Sequence, residues 1–89
     1  MKKQGIEKEK DFVFDNGFMI NTKQFISEVD YKMKYVINVI DMESEYNREY
    51  VQTNLLPFWE SLEQFTFENI KEANEQFLRS YDYYKNYER

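Results

Sequence analysis

From Ile26 the apolar positions Ile26, Val29, Met33, Val36 and Ile40 recur at spacings of three and four, which marks one face of an α-helix. Past Ile40 the stripe drifts through Val39, Met42, Tyr46 and Tyr50, carrying the expected helix to Gln52. Asn21 with Gln24 makes a capping pair and Ile20 with Phe25 a hydrophobic staple, so the first helix is predicted over 21–52. A second stripe runs through Trp59, Leu62, Thr66, Ile70, Ala73, Phe77, Tyr81 and Tyr84 and predicts a helix over 58–87. Between them, Pro57 removes a backbone donor and pushes Leu56 out of the α region. Residues 53–57 are therefore read as a turn, with a kink in one long helix as the alternative.

Two helices of similar length joined by a short turn give an all-α fold, an antiparallel helical hairpin. Ahead of it, Phe12-Val13-Phe14, Asp15-Asn16-Gly17 and Phe18-Met19-Ile20 place a turn signal between apolar triplets. This segment, 11–20, reads either as a short β-hairpin around a type I′ turn or as an irregular aromatic arm. Residues 1–10 carry Lys2, Lys3, Lys8 and Lys10 against Glu7 and Glu9 and are expected to be a mobile polar tail. The organisation expected is thus the tail followed by a single domain over 11–89.

Composition changes this picture in one respect. Phe, Tyr and Trp number 8, 8 and 1, or 17 of 89 residues. The two stripes leave Phe25, Tyr35, Ile37, Phe65, Phe67, Leu78, Tyr83 and Tyr87 without an assigned partner, an apolar surplus that implies a second interface. Two copies joining as a four-helix bundle would cover part of it, and a different protein would do the same. Trp59, Phe65, Phe67 and Tyr83 are the expected contact residues, because large rings dominate interface energetics.

The chain has no Cys and no His, which removes thiol nucleophiles, imidazole bases and nearly all zinc sites. Its glycines are Gly5 and Gly17, too far apart for a phosphate-cradling loop. Carboxylates at helical spacing, such as Glu45 with Glu49, read as solvated faces, so no enzyme, cofactor or metal is expected. A net charge of -5 argues against direct nucleic-acid binding, despite tyrosines and cations interleaved near the C-terminus.

The acidity lies in the middle of the chain. Residues 41–75 carry nine acids against Arg48 and Lys71, a net of -7. Presented on one surface through Glu68, Glu72 and Glu75, that charge supports an alternative function: a small acidic inhibitor that occupies the basic site of a nucleic-acid-binding host or defence protein. The codon bias implied by many Lys, Asn, Ile, Phe and Tyr points to an AT-rich coding region, as in a low-GC bacterium, its phage or a mobile element. No apolar run has the length of a signal peptide or a membrane span, so a cytoplasmic protein, or one exported without a conventional signal, is expected.

Trp59 just after the expected turn and Tyr84-Lys85-Asn86-Tyr87-Glu88 near the C-terminus resemble features of the WXG100 proteins of type VII secretion. That family has a Trp-x-Gly turn and a Tyr-x-x-x-Asp/Glu export signal on a helical hairpin. Here the turn reads Trp59-Glu60-Ser61, without the glycine. The resemblance covers residues 21–89 and implies a secretion substrate or partner. The principal expectation is a non-enzymatic protein-interaction module that self-associates or docks through aromatic helical surface.

Overall fold

The computed structural model describes residues 6–51 and 60–89. It overturns the all-α expectation. Four antiparallel strands, β1 (Ile6–Val13), β2 (Phe18–Ile26), β3 (Met33–Asp41) and β4 (Ser61–Phe67), form one sheet in the order β1-β2-β3-β4. Helix α1 (Glu45–Val51) lies between β3 and β4, and helix α2 (Ile70–Lys85) follows β4. The four-helix bundle of paired hairpins falls with the hairpin itself. So does the helical-hairpin geometry that the WXG100 resemblance implied.

The cause is visible in β3. Its core is Val36-Ile37-Asn38-Val39-Ile40, two pairs of adjacent β-branched residues. A three-four spacing selects one member of each pair, but β-branching restricts χ1 on a helix and fits a pleated surface. Adjacent apolar residues also suit a strand buried on both faces. Ile37 and Val39 point to the face that α2 covers, whereas Asn38 and Ile40 point to the other, and all four are buried. In β4 the run Ser61 to Phe67 alternates between half-buried and exposed positions, with Phe65 and Phe67 toward the core. That period of two, ending in Phe-Thr-Phe, wins over the helical stripe through Leu62 and Thr66.

The N-terminal hairpin forms, and it is longer than the triplets suggested. β1 begins at Ile6, inside the stretch expected to be a mobile tail, and pairs with β2 up to Phe25. The turn differs from a two-residue type I′. The amide of Gly17 donates to Phe14 O, that of Phe14 donates to Phe18 O, and among the described residues of the loop only Gly17 has positive φ, at 92°. This is a three-residue loop in which glycine supplies the left-handed bulge. Asn21, expected as a helix cap, instead sits in mid-strand and pairs with Asn38.

The part of the second helix that does form keeps its expected stripe. Phe77, Tyr81 and Tyr84 pack with Phe12, Phe14, Phe18, Ile20, Ile37, Val39, Phe65 and Phe67, and Ala73 is buried on the same helix. Ile20 and Val39 are fully buried, worth roughly 1.5–3 kcal/mol each. The turn at Pro57 and the contact candidate Trp59 lie outside the described residues.

Candidate functional site

Asparagine side chains satisfy backbone groups at both ends of helix α2, and the one at its C-terminal end ties it to the sheet. Asn69 Oδ1 accepts from the amides of Lys71 and Glu72, the usual N-cap geometry. At the other end, Asn16 Nδ2 reaches from the β1–β2 turn to donate to the carbonyls of Tyr84 and Tyr87. Arg89 continues this clasp: its Nε donates to Asn16 O, its guanidinium pairs with Asp41, and it lies 4.3 Å over the Phe18 ring. Asp41 holds the Arg89 proton more firmly than usual, chiefly through that hydrogen bond.

Because the clasp is at the C-terminal end, α2 packs closely where it passes Phe12, Phe14 and Phe18. Phe12 meets Phe77 and Tyr81, and Phe14 meets Tyr81 edge to face. Tyr84 is buried and donates to Glu63 Oε1 at 2.6 Å. Burial first, and then the carboxylate beside it, pushes the Tyr84 phenol well above the ordinary tyrosine value.

Toward its N-terminus α2 leaves part of the sheet uncovered. A groove of about 580 Å³ opens between the helix and the strand ends. Ile70, Ala73 and Phe77 form its helical wall, and Thr22, Gln24, Tyr35 and Ile37 form the floor. The third side is β1, where Lys8 and Lys10 lie opposite Gln24 and Thr22, on the face that α2 covers. Neither lysine has an ion-pair partner among the described residues. Ile70 stays 53% exposed at the mouth. The groove, also lined by Glu9, therefore combines an apolar wall with two cations that pair with no acid among the described residues, a mix of surfaces suited to an acidic and apolar ligand.

The opposite face of the sheet carries a row of polar side chains across all four strands. Asn21 Nδ2 donates to Glu9 and Asp11, Asn38 Nδ2 donates to Asn21 Oδ1, and Gln64 Nε2 and Ser61 Oγ donate to Asn38 Oδ1. Both asparagines are buried. Nearby, the buried Asn47 of α1 donates to the carbonyls of Asp41 and Glu60 and accepts the Glu60 amide, which ties the end of β3 to the start of β4. These groups satisfy one another, as buried polar groups must. Among the described residues no cluster of three or more acids is arranged to hold a metal ion.

The residues singled out from the sequence are dispersed. Phe65 and Phe67 pack against the core, half-buried, and Tyr83 is 60% exposed on α2, where it meets Tyr84 and Tyr87. Glu68 precedes α2, so it does not share a helical face with Glu72 and Glu75 as the long-helix reading had it. Lys34 and Lys32 pair with Glu68, and Arg79 pairs with Glu75. Of the groove residues, Tyr35 and Ile37 belonged to the apolar surplus, whereas Lys8 and Lys10 were not among the candidates. Their signal is the alternation Lys8, Lys10, Phe12, Phe14, which puts both lysines on the Phe12 face once β1 is recognised as a strand.

No helix among the described residues is long and apolar enough to cross a membrane. No family model, curated protein or solved structure matches the chain.

Proposed function

We propose that this chain is a non-enzymatic protein-binding module that takes a segment of its partner into the groove between α2 and the sheet. The observation that carries this reading is the groove's chemistry: Lys8 and Lys10 face an apolar wall of Ile70, Ala73 and Phe77 with nothing to neutralise them among the described residues. A segment fits when it carries an acid next to one or two large apolar side chains. The acid pairs with the lysines, and the apolar groups cover Ile70 and Phe77.

The acidic-inhibitor reading is carried less well. Two of its three residues, Glu68 and Glu75, already pair with cations of this chain. The secretion reading needs Tyr84 displayed, whereas its ring is buried and its hydroxyl is occupied by Glu63.

The test is a titration of the isotope-labelled chain with short peptides that place Asp or Glu beside Leu, Phe or Tyr. Amide shifts are expected at Lys8, Lys10, Thr22, Ile70 and Ala73, and Ile70→Asp should abolish them. Shifts confined to the Tyr83–Tyr87 region, or absent throughout, would count against the groove.

A further inference from the structure

The β2–β3 connection, Ser27 to Lys32, presents the chemistry that the groove lacks. Val29 is 92% exposed and Tyr31 is 82% exposed. Between Ser27 and Tyr31 stands Glu28, an exposed acid with no ion-pair partner among the described residues. An acid beside two large apolar side chains is the ligand that the Lys8, Lys10 and Ile70 surfaces call for.

The loop is built to hold those side chains outward. Ser27 N donates to Lys32 O, Tyr31 N donates to Ser27 O, and Ser27 Oγ accepts the Val29 amide. Asp30 accepts from the Lys32 amide and from Lys34 Nζ, and Lys34 also pairs with Glu68 at the foot of α2. Within this brace Tyr31 has φ of 58°, a left-handed backbone that favours glycine or asparagine over an aromatic residue. A large ring kept at such a φ and pointed at solvent brings little to its own fold. Non-glycine residues in this region concentrate where a surface is used.

Resting on the groove reading above, we propose that the groove's partner is a second copy of this chain, each copy inserting its Glu28–Tyr31 tip into the other's groove. The tip is continuous with Gln24 and Tyr35, which floor the groove, so tip and groove share one end of the sheet. A two-fold axis at that end exchanges them reciprocally and closes the assembly at two chains. Glu28 then meets Lys8 and Lys10, while Val29 and Tyr31 cover Ile70 and Phe77. A specific dimer needs roughly 800 Å² from each partner. Reciprocal insertion doubles what a single loop contributes.

The experiment is the mass of the full chain by light scattering, across concentrations up to about 100 μM, with Kd read from the dimer's dissociation. Twice 11.1 kDa is expected. Tyr31→Gly, which removes the ring and suits the positive φ, should leave the circular dichroism spectrum intact and raise Kd by at least about tenfold. Lys10→Glu should weaken the dimer, and adding Glu28→Lys should restore it. In a mixture of labelled and unlabelled chains, intermolecular NOEs should join the Tyr31 ring to the methyls of Ile70 and Ala73.

A mass of 11.1 kDa throughout, or a dimer that Tyr31→Gly leaves unchanged, overturns the proposal. If the monomer still binds acidic-apolar peptides at Lys8 and Ile70, the groove reading stands and only the identity of its partner fails. If neither a dimer nor peptide binding is seen, both fall.

Discussion

Tyr84 joins α2 to the sheet through one hydroxyl, and removing that oxygen isolates its contribution. In Tyr84→Phe the ring packing on Phe18 remains, but Glu63 loses its donor. Urea unfolding should show a loss of about 1 kcal/mol. The pH dependence follows in sign. The phenol's folded value is raised above the unfolded value near ~10, so its contribution is complete below that pH and declines as pH rises beyond it. The fall in melting temperature on the alkaline side should therefore be shallower in Tyr84→Phe than in the parent. On the other face, Asn38→Ala strips Asn21 and Gln64 of their shared partner inside a buried network. A loss of about 1–3 kcal/mol is expected from the orphaned groups, read as a lower denaturation midpoint with an unchanged slope. Tyr84 was legible as a member of the helical stripe. Its partner Glu63 was not, because their 21-residue separation is bridged only when β4 and α2 pack.

At the scale of elements, the ion-pair cluster at the base of the β2–β3 tip sets how firmly that loop is held. Lys34 keeps both Asp30 and Glu68 below their ordinary carboxyl values, chiefly by hydrogen bonding, and its own value is raised by the same contacts. Carboxylates with lowered folded values stabilise above their unfolded values near ~4 and lose that contribution as pH falls through the folded ones. Exchange of the Lys32 amide, corrected for intrinsic rate, should thus speed up at acid pH as Asp30 is protonated, and Lys34→Gln should remove most of that pH dependence. The pairs are exposed and their effect is local. The elements themselves were read unevenly. Asn16-Gly17 marked a true hairpin turn and Ala73, Phe77, Tyr81 and Tyr84 a true helix face. The segments 21–26, 33–41 and 61–67 satisfied a helical spacing and formed strands.

Across the whole molecule, the apolar surplus resolves differently from a hairpin's spare face. Tyr35, Ile37, Phe65 and Phe67 line the helix-covered face of the sheet, so four of the eight unassigned residues are core or groove floor. Among the described residues, the large apolar side chains that remain outward include Val29 and Tyr31 at the tip, Ile70 at the groove mouth, Leu78, Tyr83 and Tyr87 toward the C-terminus, Tyr46 on α1, and Val13, Ile26 and Leu62 on the strands. The first two of these places are complementary in charge and share one end of the sheet. Helix α2 is clasped at its C-terminal end by Asn16 and Arg89, while at its other end it is capped by Asn69 and reached by the Lys34–Glu68 pair.

The sequence alone determined the local features: the glycine that a left-handed turn position requires, the stripe on α2, and the absence of thiol and imidazole chemistry. These depend on residues within a few positions of one another. The tertiary structure decided that Phe18–Ile26 and Met33–Asp41 pair as strands. Apolar doublets such as Val36-Ile37 and Val39-Ile40 are compatible with a helical stripe and with a strand buried on both sides. The choice rests on the cross-strand partners Phe18 to Ile26 and Ser61 to Phe67, which local propensity does not weigh. The same long-range pairing brings Lys8 and Lys10 opposite Ile70, so the groove exists only once the sheet has formed.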